Sequence, residues 1–407
     1  MPLNEKKVCI FLPSLAHGGA ERRMTLLAVK LKERGCHVEV LVLRKQGEFT
    51  SLLDAAGIPI RSVDKKGRLD LLGAVMRTKA IFSDNYYDVV LSCLPSANVF
   101  AVLVKLVNKK TPLIWGIAAA DMPMNAYGLW AKLGDRIQKR LAYFADKIIV
   151  NSFKAYGISV SKGFDAAKLY VIQNGVDTEK FDLNQSAGQA WRQQNGIPLD
   201  AKVIAIVARL DPAKGIETFL GAVDIIESRH REFDITAHGF SKVSKPVEPP
   251  KAYYLMFGSA HSEYANTLKA DIQAHALYGE RLFLFESVQV DHAIYNAVDM
   301  VSITSVSESF PNVMLEAMAS GSRLVSTDVG DCRRVIKHYG DVVAVSDSVA
   351  LADVWQSFQG SEDSAFSSVQ VREYIVNEFS IDRMVSKFEA LLLDMLSGKS
   401  TNQSRLK

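Results

Sequence analysis

The residues best placed to do chemistry are two glutamates in the stretch VSITSVSESFPNVMLEAMASG, residues 301–321. The pattern predicts a strand, a polar loop and then a helix, with Pro311 in its opening turn and Gly321 at its end. Glu308 lies in the loop and Glu316 inside the helix. A helix N-terminus that follows a strand attracts anions, because its N–H groups and its dipole point outward. An anion between two carboxylates suits a nucleotide sugar, whose diphosphate separates a sugar from a ribose.

A second constellation, VARLDPAKGIETFL, supplies positive charge. Arg209 and Lys214 follow a predicted strand at 202–208 and flank an Asp-Pro turn. Two cations at a strand end would neutralise a diphosphate and the charge of its leaving group. A structural interpretation stays open for both motifs. The helix dipole alone favours Glu in a first turn, and most Arg and Lys side chains are simply solvated.

The loop SLAHGGAERR, residues 14–23, is the third candidate. Gly18 and Gly19 at a strand-to-helix turn would let the backbone approach a phosphate closely. A tight turn that merely needs glycine is the alternative. The loop is not GxGxxG and lacks the acidic residue that a dinucleotide fold places downstream. This disfavours an NAD-dependent dehydrogenase.

The elements that must position these residues alternate between short apolar strands and helices, which predicts parallel, doubly wound sheets. The α/β pattern runs twice, so we predict two doubly wound, Rossmann-like domains with a ligand crevice between them. Residues 1–180 form the N-terminal acceptor domain and 181–375 the nucleotide-sugar domain. A C-terminal helix in 376–407 packs back on the N-domain before a disordered tail. The polar stretch 174–197 is interpreted as a linker.

Composition bounds the class of protein. The chain has 407 residues, 48% of them hydrophobic, and a net charge of +3, which does not argue for nucleic acid as a partner. Four scattered cysteines without metal spacing indicate reduced core thiols. We expect no signal peptide and no membrane span. The segment Phe233–Lys251, rich in Lys and Pro, is interpreted as an exposed insertion of unknown role.

Taken together, the motifs resemble the large family-4 group of GT-B glycosyltransferases, and the resemblance covers nearly the whole chain. The Glu308-x7-Glu316 segment, preceded by Arg209 and Lys214-Gly215, is the specific part. GGAER at 18–22 and NGVD at 174–177 support it.

The resemblance implies a retaining sugar transfer from a nucleotide diphosphate sugar without a metal. It implies that Arg209 and Lys214 hold the diphosphate, that Glu308 contacts hydroxyls of the donor sugar and that Glu316 binds the ribose. Glu308, Arg209 and Lys214 are the candidate catalytic residues. The candidate donor-binding set is Gly18, Gly19, Arg209, Lys214, Glu308, Phe310, Asn312, Val313 and Glu316. The absence of an Asp-x-Asp pair agrees with a reaction that needs no metal or other cofactor.

One departure from the family concerns the acceptor side. Many relatives carry a His after the strand that here reads Leu113–Ile117, and this chain has three alanines followed by Asp121. Asp121 either supplies a substitute polar contact or caps the next helix. Asn98 is the second residue predicted on the acceptor side. In the chemistry proposed for this family the donor phosphate can take the acceptor proton, so a missing protein base does not exclude activity.

The segment Tyr127–Phe144 has an apolar helical face and a basic remainder. One interpretation is a helix resting on an anionic membrane that carries a lipid-linked acceptor. The other is a helix whose apolar face packs on the sheet. The corresponding location is the cytoplasm, at the inner face of the membrane if the first interpretation holds.

These observations predict a glycosyltransferase of the hexosyltransferase type. It would transfer a sugar from a UDP- or GDP-sugar to a hydroxyl of a glycan or lipid-linked acceptor, in surface polysaccharide biosynthesis. The alternatives are a GT-B enzyme with a small-metabolite acceptor and a nucleotide-sugar-binding protein without catalysis. Base, sugar, acceptor and oligomeric state are not determined by the sequence.

Overall fold

The computed structural model describes residues 3–16, 18–45, 47–67, 69–117, 136–237, 252–286, 288, 290–360 and 366–397. The chain divides into two compact units, residues 1–175 with 381–407, and residues 176–380. Each unit is built on one parallel sheet. Two Rossmann-like α/β sheets are the architecture that the alternating pattern predicts, so the GT-B fold class is confirmed.

The first unit contains a seven-stranded sheet in the order β3-β2-β1-β4-β5-β6-β7. Its strands are β1 Lys7–Leu12, β2 His37–Val42, β3 Ile60–Ser62, β4 Val89–Cys93, β5 Leu113–Ile117, β6 Lys147–Val150 and β7 Leu169–Val171. Its helices are Gly19–Glu33, Thr50–Ala55, Leu71–Asp84, Pro95–Ala101, Leu103–Val107, 136–141, Phe153–Ser161 and Ile381–Ser397, with 3-10 turns at Ala142–Phe144 and Ala166–Lys168.

The second unit contains a six-stranded sheet in the order β10-β9-β8-β11-β12-β13. Its strands are β8 Val203–Val207, β9 Tyr253–Phe257, β10 Leu282–Phe285, β11 Met300–Ile303, β12 Arg323–Thr327 and β13 Gly340–Val343. Its helices are Gln185–Gln194, Ile216–Ala237, Glu263–Ala274, His292–Asn296, Asn312–Ala319, Cys332–Ile336, Ser348–Gly360 and Ser368–Phe379, with a 3-10 turn at Pro212–Lys214.

Apolar residues on both faces of each sheet explain these elements. Strand β1 reads KVCIFL and β8 reads VIAIV, both buried almost throughout. Strands covered by helices on both faces must be continuously apolar, which is why short apolar runs located them. All four cysteines are buried and free, as the sequence analysis expected.

The last helix, Ile381–Ser397, belongs to the first unit. Its buried face includes Met384, Val385 and Phe388, which join the core formed by β1, β2 and helix Gly19–Glu33. Glu389 of this terminal helix forms an ion pair with Arg34, which follows helix Gly19–Glu33. The apolar face of this terminal helix is therefore part of the core of the N-terminal sheet.

The structure bears on three further sequence predictions. The boundary between the two units, after Gly175, falls within the predicted linker 174–197. Most of that stretch nevertheless belongs to the second unit and contains the helix Gln185–Gln194, because Phe181, Trp191 and Ile197 pack into its core. The segment Phe233–Lys251 begins inside helix Ile216–Ala237, and its remainder lies outside the described residues.

The basic amphipathic segment Tyr127–Phe144 is the third. Only 136–144 is described, and there Ile137 is 42% and Phe144 40% exposed, while Gln138 is buried. Leu141, on the same face, is half-buried and packs against the core of the first unit, so the apolar face is only partly covered in this part. None of the described helices combines the length and apolar character needed to cross a bilayer.

Candidate active site

The candidate site of the second unit lies at the carboxyl ends of two neighbouring strands. Strands β8 and β11 are far apart in sequence but pair directly, Ile204 opposite Met300 and Ala205 opposite Val301. The sheet is wound outward from these two strands, with β9 and β10 on one side and β12 and β13 on the other. Ligands of open α/β sheets bind at such a switch point, outside the carboxyl ends of the strands.

The loop after β8 is shaped by an aspartate and a glycine. Asp211 accepts a hydrogen bond from the N–H of Ala213 at 2.9 Å and so starts the turn Pro212–Lys214. Gly215 ends that turn in the left-handed region, with φ of 57°. A Cβ at Gly215 would lie 2.3 Å from the carbonyl oxygen of Thr304. Only glycine therefore lets this loop press against the loop after β11.

Two hydrogen bonds join the loops that follow β8 and β11. The hydroxyl of Thr304 donates to the carbonyl of Lys214 at 2.9 Å, and the N–H of Val306 donates to the carbonyl of Ala213 at 2.9 Å. These bonds set the register between the segment carrying Lys214 and the segment carrying Glu308. The two hydrogen bonds therefore fix the position of one loop relative to the other.

The loop after β12 supports the same segment from the other side. The hydroxyl of Thr327 donates to the carbonyl of Ser305 at 2.6 Å. Gly330, with φ of 54°, brings its backbone so near that a Cβ would lie 2.3 Å from the carbonyl oxygen of Ser309. The residues around Glu308 are thus held between two neighbouring loops.

Lys214 and Glu308 meet in this framework. The ammonium of Lys214 donates to Oε1 of Glu308, and the hydroxyl of Ser305 donates to the same oxygen at 3.2 Å. Their side chains are 22% and 17% exposed. The pair is therefore accessible to a ligand yet shielded enough for its charges to interact more strongly than in water.

Glu316 is more deeply placed. Its residue exposure is 8%, and its Oε2 accepts a hydrogen bond of 2.9 Å from the hydroxyl of Tyr295. Glu316 lies on helix Asn312–Ala319, whose N-cap Pro311 makes no side-chain cap bond. The two glutamates thus share one strand–loop–helix unit, one in the loop and one in the helix, as the sequence analysis predicted.

The other candidate donor-binding residues of this unit differ in accessibility. Arg209 is 70% exposed at its side chain, with its nearest guanidinium nitrogen 3.9 Å from Asp211. Phe310 is buried with its ring 6.2 Å from that of Phe379, so it acts as a core anchor for the loop. Asn312 and Val313 are half-buried.

The candidates of the first unit follow β1 and β4, which pair at the corresponding position of that sheet. Gly18 is the extended N-cap of helix Gly19–Glu33, and a Cβ on Gly18 would meet the Glu21 carboxylate at 2.2 Å. The Glu21 side chain is flexible at its far end, so the geometry of this turn does not by itself require glycine at Gly18.

The two predicted acceptor-side residues have different outcomes. Asn98 is fully buried; its carbonyl accepts from Ser92 Oγ at 2.7 Å and its amide donates to the Gly116 carbonyl at 3.0 Å. This amide is thus an internal link between β4, β5 and helix Pro95–Ala101. Asp121 lies outside the described residues.

Arg23, at the end of the glycine-rich motif, has a structural position. Its guanidinium donates to the carbonyl of Ile172 at 2.5 Å and lies over the ring of Phe388. Burial lowers the pKa of Arg23 to about 10. The side chain joins the helix after β1 to the strand end at β7 and to the terminal helix.

Three supporting residues were missed by the sequence analysis: Tyr295, Thr327 and Gly330. Tyr295 lies in the helix before β11, where nothing in the spacing points to Glu316. Thr327 ends β12 and Gly330 follows it, in STDVGD, and a strand end followed by glycine was a usable signal. Within the described residues, no group of three His, Cys, Asp or Glu is arranged to hold a metal ion.

Family models match both units. The model described as Glycosyltransferase Family 4 matches residues 17–180, and the model described as Glycosyl transferases group 1 matches residues 188–362. The two matches and the pair of parallel sheets define a protein with the two-domain GT-B fold. The chain belongs to the family-4 GT-B glycosyltransferases.

Among curated relatives, a D-inositol 3-phosphate glycosyltransferase of Corynebacterium urealyticum is 30% identical over 235 residues, 56% of this chain and 51% of the relative. The chain thus spans about half the length of the relative that it matches. A D-inositol 3-phosphate glycosyltransferase of Mycolicibacterium smegmatis is 25% identical over 389 residues, 88% of this chain and 79% of the relative.

Solved structures share the fold. Anabaena Alr3699/HepE in complex with UDP and glucose superposes with a TM-score of 0.77 at 21% identity, covering 94% of this chain and 98% of that one. Sucrose-phosphate synthase of Thermosynechococcus elongatus has a TM-score of 0.75 at 16% identity, covering 97% and 100%. At these identities the likeness concerns the fold alone.

Proposed function

We propose that this enzyme transfers a sugar from a UDP- or GDP-sugar with retention of the anomeric configuration and without a metal ion. The observation that carries the proposal is the contact of Lys214 with Glu308 at the switch point of the second sheet. A cation and a carboxylate side by side at this edge match a diphosphate next to a sugar rich in hydroxyls.

In this proposal Lys214 and the exposed Arg209 bind the diphosphate. Negative charge grows on the diphosphate as the glycosidic bond breaks, so cations that are already in place stabilise the transition state more than the ground state. Glu308 accepts hydrogen bonds from hydroxyls of the donor sugar. Glu316, at the other end of the loop–helix unit, accepts from the ribose.

Two observations support the choice of nucleotide, one from the site and one from a structural relative. The carboxylate of Glu316, inside the helix Asn312–Ala319, suits the ribose of any nucleotide and does not select the base. The structural relative Alr3699/HepE was crystallised with UDP and with UDP-glucose. We therefore put UDP-sugars first and GDP-sugars second. No residue described in the second unit is assigned to the base.

The proposed acceptor is a hydroxyl of a glycan or lipid-linked sugar, as in surface polysaccharide biosynthesis. A second candidate is a small metabolite, because the curated relatives are named D-inositol 3-phosphate glycosyltransferases. The proposed location is the cytoplasm. Contact with the inner face of a membrane through Tyr127–Phe144 stays a prediction.

A thermal-shift panel of UDP- and GDP-sugars tests the donor, since a ligand stabilises the fold according to its concentration over its dissociation constant. Transfer is then assayed with inositol phosphates and with lipid-linked sugars as acceptors, and NMR of the product gives the anomeric configuration. We expect stabilisation by one nucleotide sugar and its consumption. Binding of a nucleotide sugar without hydrolysis or transfer would identify a binding protein instead. An inverted product would overturn the retaining mechanism.

A further inference from the structure

We infer that Tyr295 is a positioning residue for nucleotide recognition: its hydroxyl holds the carboxylate of Glu316 in the orientation that accepts a hydrogen bond from the ribose. The inference rests on the proposed function, because the role of Glu316 as the ribose ligand belongs to that proposal. Tyr295 itself is not placed in contact with the nucleotide.

The contact joins two helices that flank β11. Tyr295 lies on His292–Asn296, before the strand, and Glu316 lies on Asn312–Ala319, after it. The hydroxyl donates to Oε2 at 2.9 Å, in a region where Tyr295 is fully buried. A hydrogen bond to a charged oxygen in such surroundings is strong and directional.

The phenol is itself held firmly. Its ring meets the edge of Phe181 at 5.8 Å, with an angle of 68° between the planes. Its backbone carbonyl accepts from the hydroxyl of Ser322 at 2.8 Å. With the ring and the backbone both fixed, the position of the hydroxyl is fixed too, and so is the carboxylate oxygen that it contacts.

The surroundings of Glu316 make such a restraint valuable. Its neighbours Met314, Leu315, Ala317 and Met318 are buried apolar residues of the same helix. A glutamate side chain has several rotatable bonds, and a ligand that must orient it would spend binding free energy on that ordering. Because Tyr295 already orients the carboxylate, nucleotide binding does not have to include the free-energy cost of ordering the Glu316 side chain.

A purely structural role is the competing explanation, because a buried carboxylate needs a hydrogen-bond donor in any case. The two roles differ in what they predict for binding. A structural role alters stability and leaves the preference for ribose unchanged. A positioning role alters the affinity for a nucleotide that has ribose hydroxyls and spares one that lacks them.

The test compares Tyr295→Phe with wild type in the full-length chain. The probes are UDP or GDP, whichever stabilises the wild type more, and its dideoxy analogue, which lacks both ribose hydroxyls. We expect the nucleotide to bind about five- to tenfold more weakly to Tyr295→Phe, a size typical of the net contribution of one hydrogen bond, and the dideoxy analogue to bind equally well. Tyr254→Phe is the matched control, since Tyr254 is equally buried but packs against Phe219 and Trp355. It should alter neither affinity.

A Glu316→Ala background separates the possible failures. If the wild type binds neither UDP nor GDP, or if Glu316→Ala keeps the wild-type preference for ribose, the proposed function is wrong. The role inferred for Tyr295 is then wrong as well. If Glu316→Ala loses the preference but Tyr295→Phe retains it, the inference alone is wrong.

A variant that combines Tyr295→Phe with Glu316→Ala covers the case in which Tyr295→Phe alone does not fold, because this double variant has no buried carboxylate at position 316. We expect the double variant to bind as Glu316→Ala does, since the effect of Tyr295 passes through Glu316. Weaker binding by the double variant than by Glu316→Ala would overturn the inference.

Discussion

Lys214 and Glu308 form an ion pair although 94 residues separate them in the chain. They meet because the strands that precede them, β8 and β11, pair in the sheet, and because Gly215 allows the two following loops to touch. The cation proposed for the diphosphate and the carboxylate proposed for the sugar are thus in direct contact. In the proposed complex, the diphosphate of the donor would contact Lys214 and the hydroxyls of its sugar would contact Glu308.

We expect Lys214→Ala and Arg209→Ala each to reduce kcat/KM by a factor equivalent to about 2–4 kcal/mol, because each removes a charge that stabilises the leaving diphosphate. Circular dichroism and thermal unfolding should show little change for Arg209→Ala, whose side chain is 70% exposed. Arg229→Ala is the control, since Arg229 pairs with Asp353 between two helices. Near-normal turnover in both site variants would refute the diphosphate assignment.

The two glutamates should separate in function. Glu316→Gln should weaken the binding of free UDP or GDP, because a ribose hydroxyl contacts Glu316 in ground and transition state alike. Glu308→Gln should leave the affinity for free nucleotide nearly intact and reduce transfer, because its partner is the sugar. Titration calorimetry with free nucleotide, followed by a transfer assay, measures both effects. Equal losses of nucleotide affinity in the two variants would mean that the sugar and the ribose are wrongly assigned to Glu308 and Glu316.

Gly215→Ala should reduce transfer strongly and destabilise the fold. A Cβ there would lie 2.3 Å from the Thr304 carbonyl, so the Lys214 and Glu308 loops would have to separate. Gly196→Ala is the matched control: Gly196 has φ of 68° but nothing within 4 Å of its Cβ. We expect the control to cost about 1–2 kcal/mol of unfolding free energy from the left-handed backbone alone. Equal transfer rates in the two variants would show that the contact of the loops is unimportant.

Transfer activity should survive EDTA, because the sequence offers no Asp-x-Asp pair to bridge a metal ion to the diphosphate. The assay compares initial rates in EDTA, in Mg²⁺ and in Mn²⁺. Complete loss of activity in EDTA with recovery in Mn²⁺ would contradict the proposed metal-independent reaction.

The buried thiols should make the fold less stable at high pH. Burial raises the pKa of Cys93 to about 11 from its ordinary value of 9.0. Both states are protonated below pH 9, and the unfolded thiol ionises first as pH rises, so the free energy of unfolding contributed by this group falls from about pH 9 to about pH 11. Urea titrations across this range, with Cys93→Ala for comparison, measure the effect. An unchanged slope in Cys93→Ala would show that another group is responsible.

The sequence by itself determined the fold class and most strands of the two sheets. Strand β5 has the bounds Leu113–Ile117 that the sequence analysis gives it, and the strand predicted at 202–208 contains β8, Val203–Val207. This works because a strand buried on both faces must be apolar throughout, and charge or glycine ends it. The strand–loop–helix unit of Glu308 and Glu316 was predicted for the same reason.

Predictions from the local sequence pattern were wrong where the burial of a residue depends on partners distant in the sequence. The polar stretch 174–197 holds the helix Gln185–Gln194, in which Arg192 donates to the carbonyl of Ala297 and pairs with Asp299. A polar composition indicates a linker only when its few apolar residues find no core. The internal position of Asn98 likewise depends on Gly116, a residue of the next strand.

Only the tertiary structure decided which functional groups touch. Sheet order places β11 beside β8, and this order joins Glu308 to Lys214. Tyr295 reaches Glu316 because the short helix before β11 packs against the helix after it. Parallel strands pair across long sequence separations, so the contacts between the loops at their ends follow from the order of strands in the sheet, which no local spacing of residues encodes.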